Sequence, residues 1–336
     1  MTIDELKKQI KSSSLKPIYF FYGDEQYLLN NALDSIEKKL ITPGTEDFNK
    51  FVFEGKGTKA EEILEATEQY PQMSEKKLVI AKNTGIFNQT NSTDYKKIKE
   101  AAEDLPNYSC LIFTEENFDK KKEKNIKFID DHGGIIVFDF MPINRVEIWL
   151  EDIIKKNGKS ILEKDARYMI GLCGQSLGQL RTEIHKLLNY TYKRDRITRE
   201  DIDAVVTPTV EYRVYEMLDN ITSGRNTKAQ EQLKYLKDSR EQPTVILSQM
   251  IGKLSEILMC KQLRECGMQP KEMLDYFDFK RPLFAVNKIV EEGKRYGEPY
   301  LVRMIKKGLL YDESIKNGML DGWTAVEMYL AELIKR

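Results

Sequence analysis

The chain has 336 residues, more than a single hydrophobic core usually organises, so two or three domains are expected. Its 53 Lys and Arg residues nearly balance 54 Asp and Glu residues, and the net charge of -1 excludes a protein that grips a polyanion through its overall field, but not a local basic patch. The hydrophobic fraction of 41% and the charged fraction of 32% exclude a disordered chain.

The first 140 residues alternate between short apolar runs and helix-length segments. The apolar runs predict strands at residues 18–22, 51–53, 78–81, 111–113 and 135–138, and the segments between them predict helices at residues 25–40, 59–69, 92–105 and 121–132. Each separation is long enough for a right-handed crossover, so we expect a parallel sheet with helices on both faces. Continuous apolar strands fit this arrangement because both of their faces are covered.

Helical periodicity replaces the strand signals after Pro142. It predicts a small group of four helices at residues 144–156, 163–173, 177–190 and 199–206, followed by longer apolar helices such as residues 245–263. Thr198 is expected to cap the fourth of these helices, since acids follow it in the first turn. The predicted fold class is therefore α/β followed by all-α.

Metal, disulfide and membrane chemistry have little support in the sequence. The four cysteines form no CxxC pair, and His132 and His185 do not complete a zinc spacing, so free thiols and no metal are expected. We interpret His132 as a helix-end residue and His185 as a surface residue, and no catalytic triad can be assembled from them. A charged amphipathic N-terminus and the lack of any run of about 18 apolar residues predict a cytoplasmic protein.

A parallel sheet followed by helices is the plan of many nucleotide-hydrolysing domains, so the turn after the first strand is the place for a phosphate loop. That turn starts at Gly23 and has no lysine, and Asp24 and Glu25 stand where a triphosphate would lie. The motif Gly158-Lys159-Ser160 lacks a preceding strand, so we interpret it as a helix C-cap and turn. No cofactor is expected.

Three charged segments have both a plain and a functional interpretation. The run that ends in Glu115 and Glu116 has the shape of a strand with a magnesium site, but without a phosphate loop we interpret it as a buried strand whose acids are solvated. Lysines at two further places are either a solvated face or a contact with nucleic acid. These lysines are Lys120, Lys121, Lys122 and Lys124, and Lys306 and Lys307.

The segment after the second predicted helix of the first domain contains Tyr70, Pro71, Gln72 and Met73. Pro71 ends the helix just before a buried strand, so Tyr70 and Met73 lie at a helix-to-strand corner. They are either part of the core or an exposed anchor for a partner pocket, because methionine adapts its shape and aromatic residues dominate interface energies. Residue chemistry alone favours the core.

Several segments together resemble a known family. They are FFYGDEQYLL at residues 20–29, residues 70–80, FDKK at residues 118–121, LGQLRTEIHKL at residues 177–187, and YDESIKNG at residues 311–318 with DGWTAVE at residues 321–327. In this order they resemble the delta subunit of bacterial DNA polymerase III, a component of the clamp loader. The resemblance runs along nearly the whole chain.

The resemblance implies a three-domain protein: an AAA+-like, nucleotide-free, clamp-binding domain at residues 1–140, a small helical lid at residues 141–208 and a helical collar at residues 209–336. Its expected role is to bind the beta sliding clamp and open the ring for loading onto primed DNA. Its expected partners are the tau/gamma motor subunits and the delta-prime subunit. No ATPase or polymerase chemistry of its own is expected, although the family is classed with the DNA-directed DNA polymerase holoenzyme.

The resemblance also assigns a clamp-binding wedge to Tyr70, Pro71, Gln72 and Met73, which reverses the preference for the core. Gln72 and Met73 replace the usual pair of large apolar residues, so Tyr70 is expected to carry part of the contact. Two alternatives remain. One is a divergent ATPase with an unorthodox phosphate loop, and the other is a nucleic-acid-binding factor that uses the lysines at residues 120–124.

Overall fold

A computed structural model describes residues 1–277 and 283–335 of the chain. It divides into two compact units. Unit 1 is Met1–Phe140 with Ser176–Gly178, and unit 2 is Met141–Gln175 with Gln179–Arg336. The predicted subdivision of the helical part into a lid and a collar stays a prediction.

Unit 1 is built on a five-stranded sheet in which every pair of neighbouring strands is parallel. The strands are β1 (Ile18–Tyr22), β2 (Lys50–Glu54), β3 (Lys77–Lys82), β4 (Ser109–Glu115) and β5 (Gly134–Val137). Their order across the sheet is β2-β3-β4-β1-β5, so β2 and β5 are the edges. All five predicted strands are confirmed. Each observed strand overlaps its predicted run and the bounds differ by two residues at most.

Helices cover both faces of this sheet. They are α1 (Ile3–Ser12), α2 (Gln26–Leu40), α3 (Glu46–Asn49), α4 (Ala60–Glu68), α5 (Thr93–Ala101) and α6 (Phe128–His132), with 3-10 turns at Ile86–Asn88 and Lys120–Asn125. Alternate residues of β1 belong to two separate cores. Phe20 and Tyr22 pack in the core that includes α4 and α5 residues, and Tyr19 and Phe21 pack in the core that includes α2 residues. This double burial explains the continuous apolar strands.

The prediction of one continuous helix at residues 121–132 is wrong. The segment forms the 3-10 turn Lys120–Asn125 and then the short helix α6. Asn125 is buried, and its side-chain amide donates to the main-chain carbonyl of Phe87 at 2.9 Å. The N–H groups of Ile126 and Ile129 donate to carbonyls only three residues earlier, so the α-helical hydrogen-bond pattern is interrupted there.

Unit 2 is almost entirely helical. Its helices are α7 (Ile143–Lys156), α8 (Glu163–Cys173), α9 (Leu177–Tyr190, whose first two residues count with unit 1), α10 (Arg199–Val205), α11 (Val210–Thr222), α12 (Asn226–Asp238), α13 (Pro243–Glu265), α14 (Leu283–Gly293), α15 (Glu298–Lys316) and α16 (Gly322–Ile334), with a 3-10 turn at Glu272–Phe277. The predicted cap of α10 is confirmed, since Thr198 and Asp201 form a capping box. The sequence did not predict a two-stranded parallel pair, β6 (Ser160–Ile161) and β7 (Arg196–Ile197).

Residues from α11, α12, α13, α15 and α16 share one hydrophobic core in unit 2. The predicted fold class, α/β followed by all-α, is confirmed. Within the described ranges no helix is both long and apolar enough to cross a membrane.

Candidate functional site

The corner between α4 and β3 displays two large apolar side chains to solvent. We call residues 69–76 the corner segment. Tyr70 is 78% exposed and Met73 is 85% exposed, whereas Pro71 is half-buried and Gln72 is exposed. The core interpretation of Tyr70 and Met73 is therefore wrong. Exposure of this size at two neighbouring large side chains is typical of a contact surface rather than of a folded interior.

The helix that precedes the corner segment has its last carbonyl groups capped by side chains. The Lys77 ammonium group donates to the Ala66 carbonyl at 3.0 Å, and the Ser109 hydroxyl donates to the Thr67 carbonyl at 2.5 Å. The Tyr108 hydroxyl donates to the Glu68 carbonyl at 2.7 Å. Three successive carbonyls at the end of α4, which have no partner within the helix, are satisfied in this way. The corner segment therefore starts from a fixed point.

Lys77 is an unusual residue for this task because its side chain is almost fully buried, with 1% exposed. Its ammonium group also lies 4.8 Å from the centre of the Phe51 ring. Burial lowers the pKa of Lys77 below the usual lysine value. The positive charge lies at the carboxyl end of α4, where the helix dipole favours a cation.

The middle of the corner segment is bound by Asn49, the last residue of α3. The main-chain N–H of Gln72 donates to Asn49 Oδ1 at 2.8 Å, and Asn49 Nδ2 donates to the Gln72 carbonyl at 2.6 Å. The same amide donates to the Thr45 carbonyl at 3.2 Å, and the Asn49 side chain is fully buried. Sequence reasoning missed Asn49, because its partners are main-chain groups that every residue carries.

Two further contacts define how the apolar side chains are presented. The Tyr70 ring lies on the Tyr108 ring, with centroids 4.8 Å apart and planes inclined by 32°. Met73 has φ 55°, in the left-handed region that a residue with a side chain rarely adopts. Phe48, which precedes Asn49 in the chain, is also 50% exposed.

The turn after β1, where a phosphate loop would lie, is closed by the protein itself. Gly23 has φ 132°, and a Cβ at this position would lie 2.4 Å from the Phe138 carbonyl oxygen, so only glycine fits. The Glu25 carboxylate accepts hydrogen bonds from the N–H groups of Tyr27, at 3.2 Å, and Leu177, at 3.0 Å. Tyr27 is in the first turn of α2, so a carboxylate occupies the place at this helix end that suits a phosphate.

Glu25 is 1% exposed, and burial raises the pKa of its carboxyl, although the two N–H donors oppose this shift. The motif Gly158-Lys159-Ser160 is a turn after α7, as predicted. Lys159 donates to the carbonyls of Thr191 at 2.6 Å and Arg194 at 2.5 Å, so its charge serves a loop of unit 2.

The prediction that the acids after β4 are solvated is wrong for Glu115. This residue is 8% exposed and accepts a hydrogen bond from the Gly85 N–H at 2.8 Å, and burial raises its pKa. It is included in β4, whose length was underestimated. Glu116 is exposed, as predicted. Throughout the part of the chain that the structure describes, no three His, Cys, Asp or Glu side chains gather as a possible metal site.

The lysine run after β4 lies on the 3-10 turn at Lys120–Asn125. Lys120 pairs with Asp139 at 2.8 Å, which raises its pKa, and Lys122 donates to the Asn88 side chain at 3.2 Å. Lys121 and Lys124 are exposed. Lys307 pairs with Glu332, and Lys306 is exposed. The cysteines are free, three of them buried and Cys266 exposed, and His185 is exposed, as predicted.

The last helices of unit 2 also display apolar side chains. Leu309 is 54% exposed, Leu310 is 62% exposed, and Met319 between α15 and α16 is 71% exposed. In contrast, α16 turns most of its large apolar side chains into the core of unit 2. The exposed set is therefore concentrated on the second half of α15 and the turn that follows it.

Comparison with known proteins identifies relatives along most of the chain. The family model for "DNA polymerase III, delta subunit" matches residues 19–138, and the model for "DNA polymerase III delta subunit, C-terminal domain" matches residues 211–333. The DNA polymerase III subunit delta of Bacillus subtilis (strain 168) is 24% identical over 338 residues, which cover 98% of this chain and 96% of the relative.

A probable DNA polymerase III subunit delta of Aquifex aeolicus (strain VF5) is 23% identical over 263 residues, which cover 74% of this chain and 72% of the relative. Among solved structures, the DNA clamp loader delta protein of Bacillus subtilis is similar, with a TM-score of 0.62, 23% identity and 99% coverage of both chains. The two chains share a fold.

Proposed function

The chain belongs to the DNA polymerase III delta subunit family, and we propose that it is the clamp loader subunit that binds the beta sliding clamp and opens its ring during replication. The observation that carries this proposal is the exposure of Tyr70 and Met73 on a corner whose backbone is fixed on both sides. A protruding apolar pair on an ordered backbone suits insertion into a pocket of a partner protein.

The proposed contact is the clamp-binding wedge of Tyr70, Pro71, Gln72 and Met73. Burial of a methionine or an aromatic side chain contributes about 1.5–3 kcal/mol, so the pair together can supply much of a specific affinity. Tyr70 contributes contact area at low entropic cost, because its ring is already placed against Tyr108.

Opening the ring requires no covalent chemistry. A ligand that binds the open form of an interface more tightly than the closed form shifts the equilibrium by the difference in binding free energy. The subunit therefore needs only a surface that fits the clamp better when one of its interfaces is open. The Glu25 carboxylate at the start of α2 supports a role without bound nucleotide, since it would repel a phosphate at that helix end.

We propose that the subunit acts within a loader that contains the tau/gamma motor subunits and the delta-prime subunit. Leu309, Leu310 and Met319 offer an apolar surface of the kind that joins subunits of an assembly. Primed DNA is the proposed substrate of the whole complex.

The lysines at residues 120–124 are a weaker candidate for a DNA contact. Lys120 and Lys122 already bind protein groups, so Lys121 and Lys124 are the exposed cations of the run. A Lys121→Ala, Lys124→Ala variant tests the contact through the salt dependence of DNA binding without the clamp. If both lysines touch phosphates, the logarithmic salt slope falls by about two.

The experiment that tests the proposed function is the binding of the purified chain to the sliding clamp of the same organism. The parent is expected to bind, and a Tyr70→Ala, Met73→Ala variant is expected to bind about a hundredfold more weakly or worse while its circular dichroism and melting temperature stay unchanged. A parent chain that does not bind the clamp would refute the proposal.

A further inference from the structure

We propose that Asn49 is the positioning residue of the clamp-binding corner: its buried amide holds the main chain at Gln72 and thereby keeps Tyr70 and Met73 displayed before any partner arrives. The identity of the partner rests on the proposed function. The conformational role of Asn49 rests only on the contacts of unit 1.

The side chain of Asn49 is matched to its task. The main-chain N–H of Gln72 donates to Asn49 Oδ1 at 2.8 Å, and Asn49 Nδ2 donates to the main-chain carbonyl of Gln72 at 2.6 Å. The second hydrogen of Nδ2 is directed to the Thr45 carbonyl at 3.2 Å. Only a side-chain amide carries a donor and an acceptor side by side, so aspartate keeps half of this pattern and alanine keeps none.

Both bonds of Asn49 are made to main-chain atoms of Gln72, and the Gln72 side chain is exposed. The contact therefore does not depend on which residue occupies position 72. It explains how a segment that lacks the usual pair of large apolar residues can keep a defined conformation.

Fixing residue 72 constrains its neighbours. Met73 follows directly and has φ 55°, a conformation that the chain avoids unless its surroundings impose it. On the other side, Tyr70 is close to the end of α4, where Lys77, Ser109 and Tyr108 cap successive carbonyls. The corner segment is thus bound at its start, its middle and its end, since β3 begins at Lys77.

The functional consequence is preorganisation. A loop that orders itself only on binding loses affinity to the entropy of ordering, whereas a loop that is already ordered does not. With Asn49 in place, this cost falls on folding rather than on clamp binding. Removal of the amide is expected to loosen the corner segment and weaken clamp binding even though Asn49 is too deeply buried to touch the clamp.

A merely structural role for Asn49 predicts something different, namely a loss of global stability without a local effect. Asn125 provides the matched control. It is a second buried asparagine of unit 1, 7% exposed, and it donates to the Phe87 carbonyl at 2.9 Å, in a different part of the chain from the corner segment. Its replacement removes one side-chain bond to a main-chain carbonyl, where Asn49→Ala removes three bonds, and it involves no atom of residues 69–76.

The test uses the 336-residue chain and three variants, Asn49→Ala, Asn49→Asp and Asn125→Ala. The first measurement is the hydrogen exchange of the Gln72 main-chain N–H by NMR. Because the parent chain is measured too, the result is informative even if a variant does not fold. The second is the equilibrium and kinetics of binding to purified sliding clamp.

We expect the main-chain N–H of Gln72 to be protected in the parent. In Asn49→Ala, both bonds to the Gln72 main chain are lost. The exchange of the Gln72 main-chain N–H should become about tenfold faster or more, and clamp binding should become about tenfold weaker. Asn49→Asp should also weaken both properties, because a carboxylate oxygen in place of Nδ2 would face the carbonyls of Gln72 and Thr45 in a buried site. Asn125→Ala should change neither property, even if it lowers the melting temperature as much.

Unprotected exchange of the Gln72 main-chain N–H in the parent would overturn the proposal. Equal effects of Asn49→Ala and Asn125→Ala on this exchange would also overturn it. A parent that binds the clamp, with an Asn49→Ala variant that binds equally well, would also overturn it and would leave the proposed function intact. A loosened corner segment in a chain that never binds the clamp would support the conformational role and refute the clamp as partner.

Discussion

The ammonium group of Lys77 donates a 3.0 Å hydrogen bond to the main-chain carbonyl of Ala66, which places a buried positive charge at the carboxyl end of α4. The bond ties the end of the helix to the start of β3, so the eight residues between them span two fixed points. The apolar side chains of the corner segment are thus displayed from a framework that the hydrogen bonds of unit 1 define.

This relationship predicts a pH effect on stability. The pKa of Lys77 is lowered in the folded chain, so the unfolded chain binds the proton more tightly, and the free energy of unfolding rises with pH between the lowered pKa and the usual value near 10.5. Lys77→Met removes this rise and, by leaving the Ala66 carbonyl without its donor, costs about 1–3 kcal/mol at neutral pH. Urea unfolding at several pH values measures both effects. Equal pH slopes for Lys77→Met and the exposed control Lys99→Met would contradict the prediction.

The positive φ of Met73 predicts a difference between two substitutions that remove the same side chain. Met73→Ala keeps the steric cost of the left-handed conformation, whereas Met73→Gly relieves it, so the glycine variant should be about 1 kcal/mol more stable than the alanine variant. Both should lose clamp affinity because both lack the exposed thioether. Urea unfolding and clamp titration of the two variants check this, and an alanine variant as stable as the glycine variant would show that the backbone is not strained.

The five strands of unit 1 are predictable because each is a continuous apolar run buried on both faces, as in β1. The pair β6 and β7 is not, since two residues per strand carry no periodic signal. The buried Asn125 side chain binds Phe87, 38 residues away, and local patterns cannot reveal such a contact.

The site is predictable only in part. A tyrosine and a methionine at a helix-to-strand corner suit a core as well as a surface, and the contacts that expose them involve main-chain atoms at Gln72 and Ala66. Such contacts leave no trace in residue types. The resemblance to a family located the corner, but the roles of Asn49 and Lys77 follow only from the three-dimensional arrangement.

The closed turn after β1 predicts that nucleotide does not bind. The main chain at Gly23 packs directly against the Phe138 carbonyl. The Glu25 carboxylate accepts hydrogen bonds from N–H groups that a phosphate would use. MgATP at up to millimolar concentration should therefore leave the melting temperature unchanged, because only a ligand that binds the folded state raises it. Saturable stabilisation by MgATP at micromolar concentration, or steady hydrolysis without motor subunits, would contradict this.

The exposed leucines of α15 predict an assembly surface. Leu309→Glu with Leu310→Glu should abolish co-purification with the motor subunits, because two charges would be buried without partners, and should leave the melting temperature of the isolated chain unchanged, because both side chains face solvent. The exposed Lys306→Glu variant on the same helix is the control for a change of charge. Normal assembly of the leucine variant would place the interface elsewhere.

If Tyr70 and Met73 open the sliding clamp, the purified chain should release labelled clamp from closed circular DNA, and the rate of this release measures their role most directly. The control is a Tyr192→Ala, Ile148→Ala variant, which removes exposed apolar side chains from unit 2. The parent and the control should release the clamp at similar rates. The Tyr70→Ala, Met73→Ala variant, folded and equally stable, should require about a hundredfold higher concentration for the same rate. Release by this variant at the parent's rate and concentration would show that Tyr70 and Met73 do not open the clamp.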